Sequence, residues 1–224
     1  MTLGSLYKNN RLFFLIFLVF FLVSVYLLLF LSKANGFYLL NAYHSNFLTI
    51  IFTWFTYLGD GIFCVATGLL LFAFKRRFLS LMVLSSYTIS GIIAQVLKYF
   101  IIEARPAVFL KDSTYKYFID AVTLHNFHGF PSGHTASAFA LATVLAVALD
   151  NRPLSILFLL SAILVGYSRI YLGQHFLIDV LCGSLIGVVS AIACLNVTRK
   201  ETGFFKRKFN YFSSNVTDIS NSQQ

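Results

Sequence analysis

Charge is what this sequence has least of. Only 11% of its 224 residues are charged and 58% are hydrophobic, whereas an ordinary soluble domain carries roughly 25% charged residues. That shortage excludes a water-soluble globular domain and leaves a polytopic membrane protein. Cysteine is scarce too: Cys64, Cys182 and Cys194 lie in apolar runs at unrelated spacings. They exclude a disulfide framework or a zinc-ligand pattern and read as small core residues. The three prolines, Pro106, Pro131 and Pro153, all fall at boundaries, so the long apolar runs are unbroken by them. No internal repeat or low-complexity segment is present. Acidic residues are outnumbered, 8 against 17 basic, for a formal charge of +9. In a soluble protein that excess would suggest nucleic acid; in a membrane chain it must first be tested against topology, and no nucleic-acid partner is expected.

A helix crossing a bilayer needs about 20 apolar residues. Leu12–Ser32 supplies one, too long for a signal-peptide core and lacking a convincing cleavage site, so it is read as an uncleaved first span. The stretch Phe47–Phe74 is interrupted by Gly59-Asp60-Gly61. It is read as an interfacial segment, Asn41–Tyr57, with Trp54 and Tyr57 at headgroup level, followed by a second span over Leu58–Phe74 with Asp60 as a helix-end cap. The remaining spans are Phe78–Ile102, Ser132–Leu149, Leu154–Tyr171 and Phe176–Val197. The expected fold is therefore all-α: six transmembrane helices in a single bundle, residues 1–198, followed by a basic and then Ser/Asn-rich tail over 199–224, disordered at its end. Six spans put both termini on one side. Eleven Lys and Arg fall on that side and six on the other, so the positive-inside rule makes both termini cytoplasmic.

With this topology three distant stretches deliver polar residues to the outer face. Lys98 and Arg105 are seven apart, which a continuous helix would place on nearly the same side, about two turns apart. Pro106 then ends that helix and biases its predecessor toward extended geometry. Ser132-Gly133-His134, in "GFPSGHTAS", opens a helix, where unpaired N–H groups and the positive dipole end favour an anion; Gly133 lets backbone approach a ligand closely. In "SRIYLGQHFLID", His175 and Asp179 are four apart, within reach of a carboxylate–imidazole hydrogen bond. On a continuous helix Arg169 would lie about 240° from His175, so Gly173 must mark a turn that brings Arg169 back. A carboxylate inside a membrane helix is costly without a partner, which makes Asp179 a functional residue by default. Cations and N–H donors complement a transferring phosphoryl group. One histidine can attack phosphorus while another protonates the departing oxygen. Zinc fits less well, because three cations would repel it and no His-x-His or Glu ligand appears. Each part also has a bland reading: interfacial anchors for Lys98 and Arg105, a plain N-cap for Ser132, a structural clamp for His175 and Asp179.

Lys98 with Arg105-Pro106, then Pro131-Ser132-Gly133-His134, then Ser168-Arg169 with His175 and Asp179, together resemble the tripartite signature of the type 2 phosphatidic acid phosphatase (PAP2) superfamily. The match is complete and in order over Lys98–Asp179. The resemblance implies a helical bundle that hydrolyses a lipid phosphate or diphosphate ester without metal or cofactor, through a phosphohistidine. It implies His175 as nucleophile, Asp179 as its orienting partner and His134 as general acid, with Lys98, Arg105, Ser132, Gly133 and Arg169 holding phosphate oxygens. Isoprenyl diphosphate, phosphatidylglycerophosphate, phosphatidic acid and lipid A phosphates all fit as substrates. The loop Glu103–Phe130, with Asp112, Asp120, His125 and His128, is the expected selector, its histidines read as polar loop residues. A lipid phosphotransferase using the same intermediate and a non-catalytic lipid-binding protein are the alternatives. The short chain favours a bacterial inner membrane, with the site facing the periplasm.

Overall fold

A computed structural model of the chain describes residues 10–111, 113, 115, 126–149 and 151–197. Among these residues every regular element is helical. The order is α1 (Arg11–Phe30), α2 (Lys33–Leu40), α3 (Asn46–Thr56), a 3₁₀ turn (Tyr57–Gly59), α4 (Gly61–Ala73), α5 (Arg77–Phe100), α6 (Pro106–Phe109), α7 (Gly133–Leu149), α8 (Arg152–Tyr171) and α9 (Leu177–Val197). Short polar side chains start α2, α3, α4 and α8: Ser32, Ser45, Asp60 and Asn151 each accept a hydrogen bond from a first-turn backbone N–H, the usual N-cap arrangement.

Four helices, α1, α5, α8 and α9, are long and apolar enough to cross a membrane. The pair Asn46–Gly59 and Gly61–Ala73, bent by 55°, makes a fifth if it counts as one span. The chain is an integral membrane protein. Its periphery is what lipid requires: Leu15, Leu22 and Leu29 of α1, Ile62 of α4 and Leu157 of α8 are exposed, and α-helices satisfy their own backbone in hydrocarbon.

The 17-residue α7 is the axis of the bundle. Thr135–Val144 is buried throughout, and its alanines, Ala136, Ala138, Ala140 and Ala142, keep it slender. Helix α9 lies directly against it. A Cβ on Gly183 would fall 2.5 Å from the Ser132 carbonyl oxygen, and one on Gly187 2.4 Å from that of Ala136. Small residues four apart are how helices approach closely where lipid removes the hydrophobic drive for association. The contact fixes the start of α7 beside the start of α9, where Ser132 N–H donates to the Asp179 carbonyl at 3.0 Å.

The expected spans match the helices closely from the third onward, and three local readings change. The segment taken as interfacial, Asn41–Tyr57, contains the helix α3, and a further helix that the sequence reading did not include, α2, precedes it. Both pack on the C-terminal end of α8, where Asn41 Nδ2 donates to the Ile170 carbonyl at 3.2 Å and Tyr167 Oη to that of Leu40 at 3.0 Å. Lys98 and Arg105 do not share a helix. α5 ends at Phe100 with Ile101 extended, and Pro106 opens α6 instead of ending α5. Arg105 is extended before the proline, φ −77° and ψ 164°, as steric pressure from a following proline requires. Asp112, Asp120, His125 and the 199–224 tail lie outside the described residues.

Candidate active site

All eight residues singled out from the sequence lie at one end of the bundle, where α5 and α8 finish and α7 and α9 begin. The turn between α8 and α9 is the key piece. After Tyr171 the chain reverses through Gly173 at φ 67°, a conformation a side chain would strain. The N–H groups of Gln174 and His175 both return to the Arg169 carbonyl, at 3.0 and 3.1 Å. This closes the 240° gap: the turn brings Arg169 near enough for its charge to act on His175.

His175 is 2% exposed and its Nδ1 faces Asp179 Oδ2 at 3.3 Å. Asp179, 1% exposed, also accepts from Phe176 N–H at 2.8 Å through the same oxygen, and its Oδ1 has no partner among the described residues. Burial holds the His175 imidazole well below its ordinary pKa; Arg169, Arg105 and Lys98 push the same way, and a hydrogen bond to the Gly129 backbone opposes them. The ring is therefore neutral at physiological pH.

The cations are held by backbone, amide and hydroxyl oxygens. Lys98 Nζ donates to the His128 carbonyl at 2.7 Å, and His128 Nδ1 is 2.8 Å from the Lys98 carbonyl. His128 thus latches the loop to the end of α5. Arg105 reaches the site from that loop: its N–H donates to the Asn126 carbonyl at 3.0 Å, its Nε to Phe127 at 3.3 Å and its Nη1 to Gln174 Oε1 at 3.1 Å. Burial lowers the Arg105 pKa, with Asp179 opposing. Arg169, 7% exposed, donates from Nη1 to Thr56 Oγ1 at 2.7 Å, and its Nε has no partner among the described residues.

At the head of α7, Ser132 is fully buried and its Oγ accepts from the Thr135 hydroxyl at 2.8 Å and from Thr135 N–H at 3.4 Å. Among the described residues its own hydroxyl proton remains to be donated. Space beside Gly133 is open: an added Cβ would meet nothing within 4 Å. The next residue, His134, presents Nε2 to Asp60 Oδ2 at 3.7 Å.

Three residues at this end were not assigned to a site by the sequence. Gln174, 1% exposed, holds Arg105 through Oε1 while its Nε2 has no partner among the described residues. Arginine only donates, so the oxygen must face it and the amide donor points elsewhere. Its place beside His175 was the available signal. Thr56 and Asp60 carried none, because their partners lie 113 and 74 positions away along the chain. Among the described residues no three His, Cys, Asp or Glu side chains gather in a metal-ligand group.

The arrangement offers a neutral buried imidazole, a second imidazole, three cations and a helix N-terminus at one end of the bundle, with open space beside Gly133, a set suited to a phosphoryl group. The profile of the PAP2 superfamily matches residues 79–202, a range that includes every expected site residue and omits Thr56 and Asp60. The undecaprenyl-diphosphatase of Sulfolobus acidocaldarius is 30% identical over 63% of this chain and 65% of its own length, so the alignment spans just under two thirds of that relative. Phosphatidylglycerophosphatase B of Bacillus subtilis is 29% identical over 63% of this chain and 71% of its own. Among solved structures, Aquifex aeolicus LpxE superposes with a TM-score of 0.64 at 34% identity, covering 71% of this chain and 92% of that one.

Proposed function

On the premise that the chain belongs to the PAP2 superfamily, we propose that it hydrolyses a phosphate mono- or diphosphate ester of a membrane lipid through a phosphohistidine, without metal. The observation that carries this reading is the buried His175–Asp179 pair, its imidazole neutral and under the charges of Lys98, Arg105 and Arg169. With Nδ1 turned to Asp179, His175 attacks phosphorus through Nε2. A P–N bond forms as the bond to the lipid oxygen breaks, and His134 gives that oxygen a proton. Asp179 stabilises the positive charge that develops on His175. Water, deprotonated by His134, then cleaves the P–N bond and releases phosphate. Lys98, Arg105, Arg169, the Ser132 hydroxyl and the Gly133 N–H hold the phosphoryl oxygens, which supplies the positive charge that a metal supplies elsewhere.

In this reading the bundle crosses the membrane six times, through α1, α4, α5, α7, α8 and α9, over residues 1–198. Residues 199–224 form a cytoplasmic tail, and α2 and α3 lie at the outer face, where the site opens to the periplasm of a bacterial inner membrane. The short α7, about 25 Å at 1.5 Å per residue, fits because it is enclosed by protein and not by lipid. The names of the relatives, an undecaprenyl-diphosphatase and a phosphatidylglycerophosphatase, support a lipid phosphate as substrate class.

The test is phosphate release by the purified chain against a panel of lipid mono- and diphosphates with EDTA present, and acid-quenched rapid mixing with labelled substrate. Label on His175 and its loss in His175→Ala are expected. Label on another residue, a requirement for added metal, or transfer of the label to a lipid acceptor would each overturn the reading.

A further inference from the structure

The segment Thr56–Asp60 lies outside the tripartite signature and outside the matched profile, yet it supplies two contacts at the site. Its placement has a clear physical cause. Helix α3 tightens into the 3₁₀ turn Tyr57–Gly59 before α4 departs at 55°, and the turn is seated on α7 and α8. A Cβ on Gly59 would lie 2.6 Å from the His134 carbonyl oxygen and 2.6 Å from Val165 Cγ1. Only glycine permits that approach. It sets Thr56 against Arg169 and Asp60 against His134.

Asp60 divides its two oxygens. Oδ1 caps α4, accepting from Ile62 N–H at 2.8 Å, and Oδ2 stands 3.7 Å from His134 Nε2. The other charged groups acting on His134 are Arg169, His175 and Arg105, all cationic when protonated. Asp60 is thus the carboxylate acting on His134 at a site otherwise crowded with positive charge. A proton-donating imidazolium among cations needs such a partner, because like charges disfavour the charged form and an opposite charge restores it.

We propose that Asp60 is the positioning residue of His134. Resting on the general-acid role given to His134 above, it makes a second His–Asp pair to match His175–Asp179. Asp60 draws Nε2–H toward itself, which turns Nδ1–H to the lipid oxygen. As the P–O bond breaks, its electron pair passes to that oxygen, which takes the Nδ1 proton, and His134 becomes neutral. Thr56 plays the parallel part for Arg169, fixing one arm of the guanidinium so that the remaining N–H groups face the phosphoryl group. The site is then built from four stretches of chain, the fourth being Thr56–Asp60.

The capping contact makes the charge separable from the fold. Asn caps helices as well as Asp, so Asp60→Asn keeps the α4 start and removes only the carboxylate, whereas Asp60→Ala removes both. Turnover of a lipid phosphate, whose alkoxide is a poor leaving group, is compared with that of an activated aryl phosphate in wild type, Asp60→Asn, Asp60→Ala, His134→Ala and the Asp60→Asn/His134→Ala double variant. General acid catalysis is worth about 10²–10⁴-fold. His134→Ala should lower the lipid-to-aryl ratio by that order, and Asp60→Asn should lower it by about 10–10²-fold at unchanged melting temperature. The double variant should be no slower than His134→Ala, because groups acting as a unit are not additive. If Asp60→Asn slows both substrates equally, or the two substitutions multiply, Asp60 is only a cap and the proposal is wrong while the role of His134 stands. If His134→Ala itself leaves the ratio unchanged, His134 is not the general acid and both readings fall.

Discussion

Replacing Arg169 with methionine should destroy turnover without harming the fold. The reasoning starts from how the guanidinium is held. Arg169 is 7% exposed, its one side-chain hydrogen bond runs from Nη1 to Thr56 Oγ1, and its Nε is unpartnered among the described residues. None of the ion pairs there includes it. A buried ion carries an effective desolvation penalty of several kcal/mol, and replacing such groups with apolar side chains of similar volume is often neutral or stabilising. Arg169→Met should therefore melt at or above the wild-type temperature in detergent. Loss of one preorganised donor to transition-state charge is worth about 10²–10³-fold in rate, or about 2.7–4 kcal/mol, and kcat should fall by at least that much. The ligand supplies the missing counter-charge, so vanadate, a mimic of the five-coordinate phosphoryl group, should raise the melting point of wild type. At 100 Kd that stabilisation is about 2.7 kcal/mol, and most of it should vanish in Arg169→Met. Arg169→Lys keeps the charge but not the planar fork and should stay impaired at least about tenfold in rate by the same reasoning. Loss of fold stability by more than about 2 kcal/mol with normal turnover per folded molecule, or near-normal activity of Arg169→Lys, would make Arg169 a structural strut and refute the argument.

Two further outcomes check the orientation and the nucleophile. Lys111→Cys, beside α6 at the site end, should react with an impermeant thiol reagent from outside intact cells, and Lys75→Cys, between α4 and α5 at the other end, only after permeabilisation; the reverse pattern would put the chemistry in the cytoplasm. The His175 pKa is depressed below its ordinary 6.5 by burial and neighbouring cations, and in the proposed mechanism the attacking form is the neutral ring. Its fraction falls only as pH drops through that depressed value. The acid limb of kcat/KM for an activated aryl phosphate should therefore lie below pH 6.5, and an inflection at or above 6.5 assigned to His175 would contradict the environment described here.

What the sequence conveyed and what it withheld follow a physical line. The ends of α5, α7, α8 and α9 were legible because apolar length and boundary residues are local properties. The reversal at Gly173 was legible as well, since the helical phase between Arg169 and His175 leaves no other way to bring them together. Arg105 was placed on the wrong element for the complementary reason. Its spacing from Lys98 fits a helix, but the chain beyond Phe100 takes its hydrogen bonds from a distant stretch: Arg105 N–H to the Asn126 carbonyl and Gly129 N–H to that of Glu103. Those bonds are made across more than twenty residues and leave no trace in local periodicity.

Asp60 is the sharpest instance of this division. Its capping role was readable because Asp at the start of a helix is a local pattern, and Oδ1 does bind Ile62 N–H. A carboxylate has a second oxygen, and nothing near Asp60 in the sequence says where that oxygen points. Its direction is decided by Gly59, which lacks the Cβ that would strike the His134 carbonyl, and by α7, which begins more than seventy residues later. A single residue can thus satisfy a helix with one atom and face a candidate proton donor with the other. Local order accounts for the first contact, whereas the second exists only once the bundle has closed. The same holds for Thr56 and for Gln174, whose oxygens meet Arg169 and Arg105 only when α3, α8 and the loop before α6 have come together. The signature residues are the ones that sequence can announce, and the groups that contact them from distant stretches are recruited by packing.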